Sequence, residues 1–360
     1  MILLMKAKVN NMPKNIVICL DGTTNQYGDN NTNVVRLYSL LEKNDQQITY
    51  YDPGVGTMPA PTARSKLAKR WSKLKGKMVG AGLFPNIEEA YHFLMNNYDD
   101  GDDVYVFGFS RGAYTARALA ALIAKCGLLD RGNENLVHYL MDIFRFEKRW
   151  HVHRGFRKTF SRKCEIHTLG LWDTVKSVGR IYNPTVLEYT SNNPIVRNVY
   201  HAVAIDERRA FFRQNMWGKA RQSQQVKQVW FPGSHGDIGG GYPNGESGPA
   251  LISLDWMLKQ VPDLLLNRNA LGGMFEKRPP SIDKQGFHSE SEKFFWKVLE
   301  FLPRTYRDPR NSWKTRWKIY RSAPRHISEG SIIHQSVFDR HAVGRLLPEN
   351  LPNNYSLEPW

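Results

Sequence analysis

The residues of this chain best suited to covalent chemistry lie between Asp103 and Cys126, in DVYVFGFSRGAYTARALAALIAKC. Within it, Gly108-Phe109-Ser110-Arg111-Gly112 has the form G-x-S-x-G. A serine hydroxyl attacks a carbonyl when a base takes its proton and the oxyanion that forms is held. Glycines two before and two after the serine permit a sharp turn, because no side chain then collides with the crossing strand and helix. The flanks supply that context. Val104-Tyr105-Val106-Phe107 reads as a buried strand. From Arg111 on, Tyr114, Leu119, Leu122 and Ile123 recur at helical spacing, with Arg117 and Lys125 off that face. Such a helix aims its N-terminal N–H groups and dipole at Ser110, where they favour negative charge.

Two later loops offer a base and an acid. Asp173 sits at the end of an expected strand, Cys164–Leu171. His235 follows the expected strand Val226–Phe231, in PGSHGDIGGGY, a loop with little side-chain bulk that lets an imidazole curl toward Ser110. Parallel sheets gather their functional loops at the carboxyl ends of strands. Serine, acid, histidine is also the chain order of α/β-hydrolases. His167 and His201 are rival bases. His167 reads as a packed mid-strand residue, and His201 as the start of a helix over Val199–Phe212. Asp237 and Asp206 are rival acids. Asp237 follows His235 too closely to align easily with its ring, and suits a role holding the Gly-rich loop through backbone N–H bonds. The expected oxyanion donors are the N–H of Arg111 and that of Gly22 or Thr23, in the loop Asp21-Gly22-Thr23. The Asp21 carboxylate reads as fixing that loop rather than doing chemistry.

The elements expected to carry these residues alternate. Asn15–Leu20 reads as a buried parallel strand, Thr32–Leu41 as a helix capped by Thr32 or Asn33, and Ile48–Tyr51 as a second strand. Asn86–Tyr98 reads as a helix, as does Asn133–Trp150, which leads into a basic loop to Lys163. Pro184–Tyr200 reads as irregular, Val226–Phe231 as the last clear strand, and Leu251–Val261 as a helix. The expected fold is α/β: a mostly parallel central sheet flanked by helices. One catalytic domain is expected over 13–262, with a basic insertion over 54–85. The extension over 263–360 is expected to pack on the same domain.

The three cysteines, Cys19, Cys126 and Cys164, are odd in number and far apart, which argues against a disulfide frame or a thiolate metal site. No metal and no cofactor are expected. No apolar run approaches the ~20 residues of a membrane span, and MILLMK is too short for a signal-peptide core. The expected location is cytoplasmic or peripheral to a membrane. The net charge of +16 over 360 residues suits an anionic partner. It is concentrated in two places. Arg64, Lys66, Lys69, Arg70, Lys73, Lys75 and Lys77 interleave with Leu67, Trp71 and Leu74. Arg304, Arg307, Arg310, Lys314, Arg316, Lys318, Arg321 and Arg325 surround Trp313, Trp317 and Tyr320. Both patterns suit an anionic phospholipid surface. The second also fits a single-stranded nucleic acid groove. No phosphate loop or nucleic-acid-binding motif accompanies it, so no nucleic acid partner is expected.

CLDGTTN, TNVVRL, DPGVGT, NIEEAYHFL, FGFSRGAYTARALA, LGLWDTV, HAVAIDERRAFF and WFPGSHGDIGGGYP follow one another in this chain, with IIHQSVFDRH and LLPENLP near its end. In this order they resemble a family of α/β-hydrolase domains that includes the catalytic domain of type VI secretion phospholipase effectors. The resemblance implies an α/β-hydrolase fold and a serine esterase mechanism, with Ser110 as nucleophile, Asp173 as acid and His235 as base. It implies acyl esters of glycerophospholipids as substrate, a phospholipase A reaction. It also implies a secretion-apparatus or immunity protein as partner and delivery to another cell without a signal peptide. The competing expectations are an esterase acting on a soluble substrate and a basic interaction protein on a hydrolase scaffold.

Overall fold

In the computed structural model, residues 12–22, 28–54, 82–175, 179–180, 183–184, 187–282, 287–288, 300–301, 304–307 and 315–360 are described. The five segments expected as strands enter one eight-stranded sheet, joined by three strands that were not expected. The eight are β1 (Asn15–Leu20), β2 (Gln47–Asp52), β3 (Asp103–Phe109), β4 (Ile166–Trp172), β5 (Val196–Ala204), β6 (Gln225–Phe231), β7 (Ser331–His334) and β8 (Tyr355–Glu358). Their order across the sheet is β8-β7-β6-β5-β4-β3-β1-β2. Every neighbouring pair is parallel.

An all-parallel sheet needs cover on both faces, and its strands are apolar on both sides. In β1, Ile16, Ile18 and Leu20 enter one core while Val17 and Cys19 enter the other. In β3, Val104 and Val106 divide in the same way from Tyr105, Phe107 and Phe109. The first core is closed by α2 (Leu83–Asn97), α3 (Arg111–Cys126), α4 (Val137–Phe146) and α5 (Trp150–Phe160). The second is closed by α1 (Asn33–Leu40) and α7 (Gly248–Lys259). The five-residue α6 (His235–Gly239) follows β6. A small third core, with Ile205, Trp230, Ile327, Ile333 and Val337, lies under the last strands.

Four expectations are corrected. Val199–Phe212 is not a helix: Val196–Ala204 forms β5, and only Ala210–Phe212 makes a 3₁₀ turn. The charged run after Ala204 imitates helical spacing, but Val199 to Ala204 are buried on both sides between two strands. Val226–Phe231 is not the last strand. β7 and β8 continue the sheet, each only four residues long and so too short to print a period. The basic stretch after Trp150 is helix α5 rather than loop, and only His153 and Phe156 of it are buried. Arg117 does not lie off the apolar face of α3. It is wholly buried, because α3 is covered nearly all round. The basic insertion lies outside the described residues over 55–81, as do Arg310, Trp313 and Lys314.

Candidate active site

The chain leaves β1 for β2 on one side and returns to β3 on the other. A parallel sheet opens a crevice where its strand order reverses in this way, at the carboxyl ends of the two diverging strands. Ser110 stands at the end of β3 and the Asp21-Gly22 turn at the end of β1.

Ser110 is the N-cap of α3, at φ 59° and ψ −119°. That backbone region is costly for a residue with a Cβ and marks stored strain. The flanking glycines allow it. A Cβ at Gly108 would lie 2.6 Å from backbone atoms of Gly112 and Ala113. One at Gly112 would lie 2.1 Å from the Leu20 carbonyl oxygen. The first turn of α3 therefore folds back onto β3 and presses against the end of β1 together, and no side chain fits at either contact.

His235 Nε2 lies 2.7 Å from Ser110 Oγ, and His235 Nδ1 lies 2.5 Å from Asp173 Oδ2. The three side chains come from the ends of β3, β6 and β4, and all are buried. Phe109 and Phe212 pack against the imidazole with ring centroids 4.6 and 4.7 Å away. The His235 N–H donates to Glu207 Oε2 at 3.2 Å. Glu207 is itself forked by Arg209, whose Nε and guanidinium nitrogen lie 2.8 and 2.6 Å from its two oxygens. A hydroxyl, an imidazole and a carboxylate in this series can pass a proton from oxygen to ring while the carboxylate faces the charge that develops.

Asp173 has a left-handed backbone, φ 37°, and no exposed surface. The Ala204 N–H donates to its Oδ1 at 3.0 Å. Arg325 forks it, reaching Oδ1 at 2.5 Å and Oδ2 at 3.0 Å. Burial by itself would raise this carboxyl's pKa. The Arg325 guanidinium and the His235 ring outweigh burial and hold it well below the usual carboxylate range.

The rival groups go elsewhere. Asp237 accepts the Ser234 N–H and hydroxyl at 2.7 and 2.9 Å, a capping box at the start of α6. Its other oxygen lies 2.7 Å from His288 Nδ1, and His288 Nε2 lies 2.8 Å from Glu246. Asp206 takes the Gly233 N–H and the Arg340 guanidinium, each at 2.7 Å. His201 lies within β5 rather than at a helix start, and its Nε2 accepts the Thr174 N–H at 3.1 Å. Burial first, then Arg117, push its pKa down to about 3. His167 meets Thr168 Oγ1 at 3.0 Å in β4.

Of the expected oxyanion donors, Arg111 opens α3 directly after Ser110. The Gly22 N–H points at its own neighbour instead, donating to Asp21 Oδ1 at 2.6 Å. The second Asp21 oxygen receives the hydroxyls of Thr32 at 2.6 Å and Tyr51 at 3.1 Å. Thr32 in turn caps α1 by accepting the Val35 N–H. Thr23 lies outside the described residues. Among the described residues no cluster of His, Cys, Asp and Glu could hold a metal.

Sequence reasoning missed four participants: Arg325, Glu207, His288 and Phe212. Arg325 was grouped with the surface cations, and its neighbours in sequence carry no sign of burial. Glu207 and Arg209 fell inside the expected helix Val199–Phe212, where side chains two apart do not face each other, so their pairing belongs to non-helical chain.

The family model described as the T6SS phospholipase effector Tle1-like catalytic domain matches residues 14–260. The chain belongs to this family. An uncharacterized protein of Saccharomyces cerevisiae is 38% identical over 223 residues, which cover 56% of this chain and 32% of that protein. The chain thus spans about a third of the length of that curated relative. Two solved structures are also similar. One is an uncharacterized protein from Pseudomonas aeruginosa, at 19% identity and TM-score 0.39, covering 69% of this chain and 45% of that one. The other is the Tle1 effector bound to the VgrG spike of the type VI secretion system, at 20% identity and TM-score 0.36, covering 65% and 52%.

Proposed function

We propose that this chain is a serine hydrolase that cleaves acyl esters of glycerophospholipids, a phospholipase A reaction at an anionic bilayer surface. The observation that carries the reading is the hydrogen-bonded series from Ser110 through His235 to Asp173, at 2.7 and 2.5 Å. Its start lies on a strained strand-to-helix turn, the context in which G-x-S-x-G carries the nucleophile of α/β-hydrolases.

Ser110 Oγ attacks the acyl carbonyl and His235 Nε2 takes its proton. Breakdown of the tetrahedral intermediate gives an acyl-enzyme, as His235 returns that proton to the leaving alcohol. Water then repeats the sequence in reverse and frees the fatty acid. Asp173 holds the ring in the tautomer that leaves Nε2 able to accept, and offsets the imidazolium charge. The Arg111 N–H supplies one oxyanion donor. The second is assigned to the loop that continues from Gly22 through Thr23, since the Gly22 N–H is already engaged by Asp21.

The lipid part of the reading draws on the family description and on the surface. Trp317 and Lys318 end a strand that pairs with Arg304–Arg307 and Ile319 follows it; all three are exposed, Trp317 by 62% and Ile319 by 42%. Large apolar side chains among cations suit an anionic interface. Among the described residues no helix is long and apolar enough to cross a membrane. The same family description makes a secretion-apparatus partner and delivery to another cell part of the proposal.

Ser110→Ala is the test. It is expected to remove fluorophosphonate labelling and hydrolysis of both p-nitrophenyl esters and phospholipid vesicles, with circular dichroism unchanged. Full turnover by a folded Ser110→Ala protein would sink the mechanism. Hydrolysis of the soluble ester with no response to anionic or neutral vesicles would leave the serine chemistry and remove the phospholipid assignment.

A further inference from the structure

The family match ends at residue 260, yet the group bonded to both oxygens of Asp173 is Arg325. Arg325 is 1% exposed. Besides Asp173 it donates to the carbonyl of Ala204 at 2.9 Å and to that of Phe212. Its own segment is tied down on both sides. Arg213 reaches the carbonyls of Ala323 and Pro324 at 2.8 and 3.1 Å. Asn350 donates to the Arg325 carbonyl at 2.9 Å. The C-terminal extension therefore delivers a rigid, fully buried cation to the carboxylate that faces His235.

We propose that Arg325 is a positioning residue for the reaction: its fork fixes which Asp173 oxygen meets His235 Nδ1 and keeps that fully buried carboxylate charged. The role rests on the ester-hydrolase reading above. Two features favour it over a purely structural ion pair. A guanidinium binds a carboxylate in one plane, so the fork sets the orientation of Asp173 and not only its charge. The two Asp173 oxygens are then unequal. Oδ1 takes the shorter Arg325 bond and the Ala204 N–H, which leaves Oδ2 to the ring.

The charges facing this pair are few. Glu207, on the loop after β5, meets the His235 backbone and is neutralised by Arg209. His201 on β5 accepts the N–H of Thr174, the residue after Asp173, and meets Arg117 of α3 at 3.4 Å. Asp237 on α6 is turned to His288. Among the described residues, Arg325 is thus the guanidinium in direct contact with Asp173. Without it, burial favours a neutral Asp173, and the ring loses a cationic neighbour. Both changes move the acid limb of the coupled His235–Asp173 pair upward in pH.

The experiment compares the full chain with Arg325→Gln and Arg325→Lys. It reads the pH profile of kcat/KM on a short-chain p-nitrophenyl ester and the low-field proton resonance of His235 Nδ1–H. Arg325→Gln is expected to lower kcat/KM at neutral pH about 100-fold or more and to move the acid limb up by about one pH unit or more. Arg325→Lys keeps the charge without the fork. It is expected to hold the limb near the parent position while kcat/KM falls about tenfold. If Arg325→Gln does not fold, Arg325→Lys carries the test. A folded variant of either kind with the parent limb, parent kcat/KM and parent resonance overturns the proposal. The resonance does not depend on turnover. A shift of it in a protein that hydrolyses no ester would keep the positioning role and reject the hydrolase reading instead.

Discussion

Two Asp–His pairs meet at one loop of this protein, and they differ in what faces the outer ring nitrogen. His235 has Asp173 on Nδ1 and the Ser110 hydroxyl on Nε2. His288 has Asp237 on Nδ1 and Glu246 on Nε2. Between two carboxylates an imidazole is held as a cation. Hydrogen bonding to Asp237 above all, and then Glu246, raise the His288 pKa to about 9, although partial burial opposes them. A ring that keeps its proton cannot serve as a base at neutral pH. The first pair is different because its carboxylate is already matched by Arg325 and its outer nitrogen meets a neutral hydroxyl. An Asp–His contact alone therefore does not mark chemistry. The group beyond the ring decides it.

The comparison breaks most sharply at Asp173. Asp173→Asn is expected to lower kcat about 1000-fold or more, because the amide favours the wrong ring tautomer. Steady-state kinetics on a p-nitrophenyl ester check this, and a drop below tenfold would make the two pairs alike. Next in size is Asp237→Ala. It removes the acceptor for Ser234 and His288 together and is expected to cost about 2–3 kcal/mol in urea denaturation. Its effect on kcat should stay well short of that of Asp173→Asn.

His288→Ala is expected to change stability in a pH-dependent way. The folded pKa of about 9 lies above the ordinary 6.5. The contribution is thus complete below about pH 6.5 and is lost as pH rises through 9. Melting temperatures recorded from pH 6 to 10 should fall with rising pH for the parent and flatten for His288→Ala. Parallel curves would mean that His288 carries no charge. The smallest effect is assigned to Ser234→Ala, which removes one side of the capping box before His235. About 1 kcal/mol of stability is expected to go, by thermal or urea unfolding, with kcat within a few-fold of the parent.

Much of this arrangement could be read from the chain before folding. Gly108 and Gly112 on either side of Ser110 required a close crossing, and their hydrogens do meet backbone from α3 and β1. Asp237 was expected to tie down its own loop, and its bonds to Ser234 do that. Asp21 was expected to fix a turn, and it also orders Thr32 and Tyr51. The misreadings have physical causes. In Val199–Phe212 the buried strand and the charged turn that follows add up to a false helical period. In β7 and β8 each strand is too short to show alternation. In α5 the basic outer face outnumbers the two buried residues.

Local sequence determined what can be decided within a few residues. It set the strand–Ser110–helix junction, the alternation that splits β1 and β3 between two cores, and the Gly-rich freedom of the loop bearing His235. Only the tertiary structure decided which charges face one another. Arg325 and Asp173 are 152 positions apart, and nothing near either names the other. Side chains of one type, such as Arg325 and the exposed Arg321, carry the same letter in sequence whether they are buried against a carboxylate or left in water. Burial is a property of the whole packing, and at such sites burial together with the partner it brings sets the chemistry.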